Sequence, residues 1–206
     1  MAIRAWKAEL SYRLRRVAAL MPGFGFERYV IVAVPLAGLR GATGAGVIAP
    51  ERAVAADLAS AEAARWRAAQ GMICLGVERG DALTGVTWLT RQGFDEDEAW
   101  LRFEPPPGAA WDTGMMILAH ARGGRAFQAL WSATRAWGQP LGIHWSISRI
   151  ADYNLASRRA HARLGGVEIG RVTMVRVGTR QWAMGASPRF ARVGGARPVV
   201  RPMLPA

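Results

Sequence analysis

The chain has 206 residues, enough for one domain of ordinary size with extensions. About half of its residues (51%) are apolar, which excludes a wholly disordered chain. The formal charge is +12, from 27 basic against 15 acidic side chains, and it favours anionic partners: phosphates, acidic proteins, nucleic acid or an anionic lipid surface.

Residues 2–21 predict an amphipathic helix. Ile3, Trp6, Leu10, Leu14, Val17 and Met21 recur at spacings of three and four, with Arg4, Lys7, Arg13, Arg15 and Arg16 over much of the remaining surface. Two readings of this stripe are open: it packs on the domain or on a second subunit, or it lies on an anionic membrane. No uncharged apolar run reaches the roughly 18 residues of a membrane span, and the stretch with these basic residues has no apolar core like that of a signal peptide. The expectation is a cytoplasmic protein, with membrane association through residues 2–21 as a variant.

Residues 28–36 read as a buried strand. The loop that follows carries Gly38, Gly41, Gly44 and Gly46 but lacks the Gly-Lys-Ser/Thr of a P-loop. Pro50 marks the start of an Ala-rich helix over 51–70, stopped by Gly71. Residues 72–77 and 82–90 are two strands joined at Arg79-Gly80-Asp81. Residues 95–98 form an acidic, solvated loop, and 99–104 a short strand ended by Pro105-Pro106-Pro107-Gly108. A strand over 111–119 runs through a glycine turn into a helix reaching about Trp137. Residues 141–148 alternate as a strand, 154–164 form a helix with Asn154 as N-cap and Gly165-Gly166 as its stop, and 167–177 is a final strand. After Gly178, four prolines (Pro188, Pro198, Pro202, Pro205) interleave with Arg189, Arg192, Arg197 and Arg201, which predicts an extended arm and not a core element.

The domain plan is therefore an amphipathic helix over 1–27, a folded domain over 28–177 and a basic Arg/Pro-rich arm over 178–206. Hairpin-linked strands precede strands separated by helices, so the fold class is α/β, with a mixed, mostly antiparallel central sheet and helices on both faces.

The most informative segment is 111–127. The first amides of a helix lack internal partners and, with the helix dipole, form an anion site. Gly123 and Gly124 allow a phosphate close to the backbone, and Arg122 and Arg125 add positive charge. The succession of strand, glycine turn, helix, strand, Asn-led helix, Gly-Gly and strand resembles the second half of the GNAT (Gcn5-related N-acetyltransferase) superfamily. Ala121-Arg122-Gly123-Gly124-Arg125-Ala126 is similar to its acyl-CoA turn, Arg/Gln-x-x-Gly-x-Gly/Ala, except at Ala121. Asn154, Ser157, Leu164 and Gly165 match its Asn-x-x-Ser/Ala-x-x-x-Tyr-x-x-x-Gly-Phe signature, with His161 in place of the tyrosine and Gly166 in place of the phenylalanine.

The resemblance implies an acyl-CoA-dependent N-acyltransferase in which an amine attacks the thioester directly. The donor, acetyl-CoA or another acyl-CoA, would be held by Leu118, Ala119, His120, Arg122, Gly123, Gly124, Arg125, Ala126, Asn154, Ser157 and Arg158. The strands 111–119 and 141–148 would splay to admit it, and a strand amide near 118–120 would polarise the thioester carbonyl. His161 would give the departing thiolate its proton; the other reading is that it lines the groove or packs on the sheet. No metal is implied.

Glu104, Asp112, His120 and His144 are candidates for the base that deprotonates the amine, although each has a structural reading too. Cys74 reads as a buried apolar residue and not as a nucleophile. The partners this allows are a small-molecule amine acceptor, an acyl carrier protein if the acyl chain is long, and a second copy of the chain. A non-catalytic module binding nucleic acid or an anionic surface is the alternative of another class. Residues 1–112 hold 13 basic and 13 acidic side chains, so the whole surplus falls in residues 113–206, where 14 arginines face Asp152 and Glu168 alone. That places the charge beside the proposed donor site first and in the arm second.

Overall fold

The computed structural model describes residues 2–39, 44–96, 99–122 and 125–205. In chain order the elements are α1 (Ala2–Leu20), β1 (Phe24–Pro35), β2 (Ala45–Ile48), α2 (Pro50–Ala55), α3 (Ala61–Ala69), β3 (Ile73–Arg79), β4 (Ala82–Thr90), β5 (Phe94–Asp95), β6 (Arg102–Phe103) and β7 (Ala109–Ile117). They continue with α4 (Arg125–Gly138), β8 (Trp145–Ala151), α5 (Leu155–Arg163), β9 (Val167–Val177), β10 (Arg180–Met184), β11 (Phe190–Arg192) and β12 (Val199–Val200). The fold is mixed α/β with mostly antiparallel strand pairing flanked by helices, the class the element order predicts. The chain divides into two units. The first gathers Met1–Val34, Gly93–Pro106 and Ser148–Ala206, and the second Pro35–Gln92 and Pro107–Ile147.

In the second unit, β2, β3, β4 and β7 pair antiparallel in that order. Gly76 on β3 exists for contact: a Cβ there would lie 2.7 Å from both Ile48 Cδ1 and Leu83 Cδ1. Leu75, Val77 and Leu89 meet Ala129, Leu130 and Ala133 of α4 in one buried cluster, which anchors the helix on the sheet. The helix expected over 51–70 is two. Asp57 adopts φ 60°, and Ser60 caps α3 by accepting from Ala63 N–H at 3.1 Å. Asp and Ser compete with the helix for backbone groups, so alanine richness does not carry one helix through them. The glycine loop after residue 38 supplies β2, while residues 40–43 lie outside those described.

In the first unit, β1 pairs with β9, β9 with β10 and β10 with β11, all antiparallel. Six consecutive residues of β1, Tyr29 to Val34, are buried, which is why this strand reads as an unbroken apolar run. The extended arm is corrected here. Residues 180–184 and 190–192 continue the sheet, Gln181, Ala183 and Ala191 are buried, and β12 pairs parallel with β6. The arginines of this segment are anchors. Arg197 lies 3.8 Å over the Trp100 ring and donates to the carbonyls of Glu96, Ala99 and Leu101, and Arg201 pairs with Glu104 at 2.7 Å.

The acidic loop is corrected too. Asp95 pairs with Arg102 and Arg197, and Glu96, 1% exposed, pairs with Arg149; Asp97 and Glu98 lie outside the described residues. Acids from the first half of the sequence thus draw in arginines from the second.

The apolar stripe of α1 is not the face it buries. Trp6, Leu10, Leu14, Val17 and Met21 are 64%, 42%, 44%, 55% and 53% exposed, while Ala8, Ser11 and Ala18 are buried. Polar anchors hold the helix: Ser11 donates to Asp152 at 2.8 Å, and Arg15 to Glu27 at 2.7 Å and to Tyr153 at 3.0 Å. The reading in which the stripe packs on its own domain is overturned.

Candidate functional site

β7 departs from a regular strand near its middle. Val86 of β4 pairs with Met116 but Trp88 pairs with Thr113, so Gly114 and Met115 stand against Thr87 alone. Gly114 takes φ 60° in this bulge, a conformation that costs an L side chain and not glycine. The guanidinium of Arg67 fills the space above it: a Cβ on Gly114 would lie 2.5 Å from Arg67 Cζ, which itself stands 5.5 Å from the centre of the Trp88 ring. A bulge leaves a residue outside the regular ladder pairing and re-aims the strand there.

Beyond the bulge, the Leu118 N–H donates to Thr84 O at 2.9 Å, so that amide is engaged. Residues Ala119–Ala121 form a turn of 3-10 helix with Ala119 and His120 exposed. Arg122 is exposed, and its Nε donates to Ile117 O at 3.0 Å. Gly123 and Gly124, the centre of the phosphate site read from the sequence, lie outside the described residues. The helix after them, 14 residues long, starts with exposed Arg125 and half-buried Ala126 and has no acidic residue in its first turn. Its dipole is therefore not neutralised by an acid of its own there, and Arg122 and Arg125 flank it, an arrangement that suits an external anion.

Also in this unit, Ser146 donates to Asp112 Oδ2 at 2.7 Å, with both residues buried. Asp112 is thus a fixed acceptor. His120 and His144 are exposed, and in the first unit Glu104 pairs with Arg201 and with Arg102 at 3.5 Å.

The other candidates lie in the first unit. Asn154 accepts from Ser157 N–H at 3.1 Å, the cap the sequence predicts for α5. One turn later His161 is buried, with Nδ1 2.8 Å from Ser157 O and Nε2 3.1 Å from Ser148 Oγ. A carbonyl only accepts, so Nδ1 carries a hydrogen, while Nε2 shares a hydrogen bond with the Ser148 hydroxyl. Nε2, the atom a general-acid role would use, is therefore the one that Ser148 holds. Gly166 has a steric reason to replace the expected phenylalanine: a Cβ there would lie 2.7 Å from His161 O. Arg158 donates to Asp152 O at 3.1 Å and reaches Glu168 at 3.5 Å, which makes it a brace beside the helix.

The structure thus assembles Asn154, Ser157, His161 and Ser148 in one unit, and Leu118 to Arg122 with Arg125 and Ala126 in the other. Sequence reasoning missed Ser146, Ser148, Arg67 and Gly114. A glycine inside a strand pattern is a signal for a bulge, so Gly114 was detectable; the partners of the others are set by tertiary contacts. Cys74 is 2% exposed, and burial pushes its thiol up to about 12, with Arg67 lowering it only in part.

No family model matches the sequence, and no curated protein matches it. Solved structures do resemble it. A GNAT-family protein from Novosphingobium aromaticivorans, named as an acetyltransferase, superposes with a TM-score of 0.53 at 14% identity over 75% of this chain and 66% of that one. A conserved Staphylococcus epidermidis protein of unknown function gives 0.51 at 13% over 80% and 66%, and a Drosophila protein 0.50 at 13% over 81% and 56%. The chain spans less than two thirds of each of these proteins. At such identities the likeness concerns the fold, which is that of the GNAT acetyltransferases.

Proposed function

We propose that this chain is an acyl-CoA-dependent N-acyltransferase that moves an acyl group, acetyl in the simplest case, to a small-molecule amine. The observation that carries the reading is the β7 bulge at Gly114, followed in the chain by exposed Arg122 and by α4, which starts at exposed Arg125 and has no acid in its first turn. The order suits a thioester donor. The bulge offers backbone polar groups to the acyl carbonyl, and the helix start with its two cations takes the pyrophosphate.

In this reading the amine attacks the thioester carbon, the C–S bond breaks, and the thiolate leaves with a proton. In this reading His161, held by Ser148 and Ser157 O, has a positioning part within α5, at the place of the tyrosine of the resembling signature. The alternative of a nucleic-acid module loses support where Arg197, mostly buried, is taken up by Asp95 and the carbonyls of Glu96, Ala99 and Leu101.

Calorimetry with CoA, together with product analysis by mass spectrometry using acetyl-CoA, a long-chain acyl-CoA and acyl carrier protein, tests the reading. The expected result is CoA binding weakened at least about tenfold in Arg122→Ala/Arg125→Ala, since each lost charge-assisted contact is worth roughly a factor of ten. Equal CoA binding by that variant and the wild type refutes the phosphate site. Turnover only with acyl carrier protein moves the assignment to long-chain transfer.

A further inference from the structure

α1 is fixed to its unit by its small and polar side, through Ala8, Ser11, Arg15 and Ala18, while its large apolar side chains face water. On a helical wheel Trp6, Leu10, Leu14 and Val17 fall within an arc of about 80°, and Leu20 and Met21 extend the apolar surface at the C-terminal end. Four large residues on one arc, each 42–64% exposed, are more than a monomeric surface leaves without a partner.

The charge pattern selects the partner. Residues 2–20 contain Arg4, Lys7, Arg13, Arg15 and Arg16 against Glu9 alone. Arg13 borders the arc with its side chain 73% exposed, and its pairing with the 56%-exposed Glu9 is of the weak solvent-screened kind, so its charge is available. Arg16 stacks over Tyr12 at 5.8 Å on the same flank. A second copy would bring an identical surplus of positive charge against this one. An anionic lipid surface brings the opposite charge together with an apolar layer at the depth such side chains reach. Among the described residues no helix is long and apolar enough to cross a membrane, so the mode is lying in the interface.

We propose that α1 is an interfacial helix that docks this protein on anionic phospholipid membranes, with Trp6, Leu10, Leu14 and Val17 inserted and Arg13 and Arg16 on lipid phosphates. The proposal stands independently of the acyl-transfer reading. Co-sedimentation of the full chain with phosphatidylcholine vesicles, with and without phosphatidylglycerol, tests it.

Binding is expected to the anionic vesicles, at least about tenfold weaker to the neutral ones, and falling with salt. Leu10→Ser/Leu14→Ser/Val17→Ser and Arg13→Glu/Arg16→Glu should each lose about tenfold or more of the partition constant while keeping the wild-type thermal midpoint, because these side chains are exposed. Failure to bind anionic vesicles overturns the proposal. So does a wild-type dimer in solution that the triple serine variant dissociates, which would assign the face to a second copy. Equal binding to neutral and anionic vesicles overturns the charge argument and with it the choice of lipid.

Discussion

The Ser148 hydroxyl and His161 Nε2 lie 3.1 Å apart, joining β8 to α5 through a buried bond whose far side, Nδ1, is held by Ser157 O at 2.8 Å. Removing the ring leaves a buried hydroxyl and a helix carbonyl without it. His161→Phe should therefore cost about 1–3 kcal/mol, and Ser148→Ala with His161→Phe should recover part of that in a double-mutant cycle. Urea denaturation measures both. If the pair also positions the reacting groups, the kcat pH profile with acetyl-CoA shifts in His161→Gln while CoA affinity does not; a merely structural pair would leave that profile in place.

Gly114→Ala places a methyl group at φ 60° and 2.5 Å from Arg67 Cζ. Arg67 can swing aside, so the backbone strain dominates, at about 1 kcal/mol. The same change alters the bulge, and turnover should fall more than stability does. Loss of stability with unchanged turnover would detach the bulge from the chemistry.

Glu96 and Arg149 form a pair in which the Glu96 side chain is 0% and that of Arg149 15% exposed, the guanidinium resting 4.9 Å from the centre of the Tyr29 ring. Glu96→Gln removes a buried charge from this pair and should lower stability by about 1–3 kcal/mol. A chemical-denaturation midpoint within error of wild type would show that the guanidinium is solvated instead.

Asp152 has its carboxyl raised from the ordinary range, first by burial, with the Ser11 hydrogen bond and Arg28 pulling it back. A carboxyl raised in the folded state binds its proton more tightly than in the unfolded chain. Its contribution to stability is full below the unfolded value of 3.8 and is lost as pH rises through the higher folded value. The melting temperature of wild type minus that of Asp152→Asn should therefore fall as pH rises from acid toward neutral, and a rising difference would reverse the assignment.

Cys74 should resist alkylation. With its thiol pushed up to about 12 from 9.0, the native protein at mildly alkaline pH holds about a thousandfold less thiolate than the unfolded chain. Iodoacetamide labelling followed by mass spectrometry should mark Cys74 only after denaturation; rapid native labelling would contradict its burial.

Legibility followed the range of the interactions. The strand over 82–90 and the final strand over 167–177 have the bounds the sequence predicts, and Asn154 caps α5, because each depends on residues within a few positions. The break at Asp57 was local as well, yet alanine richness masked it. The arm was misread because proline and arginine signal extension locally. Its burial comes from pairing: β10 turns back on β9, and Gln181 and β12 meet Trp100 and β6 from roughly 80 to 100 residues earlier in the chain.

What the sequence by itself determined is the class of the fold, the order of its longer elements up to residue 177 and the place of a helix start flanked by arginines, since hydrophobic period, glycine turns and capping act over a few residues. Only the tertiary structure decided which face of α1 is buried, where the surplus arginines spend their charge and what His161 touches. A helical stripe is equally apolar whether it meets its own sheet or another partner, and a charge is silent until its counter-charge is placed. Ser11 finding Asp152, Arg149 finding Glu96 and Ser148 finding His161 are pairings across 141, 53 and 13 residues, and only folding brings those atoms within reach.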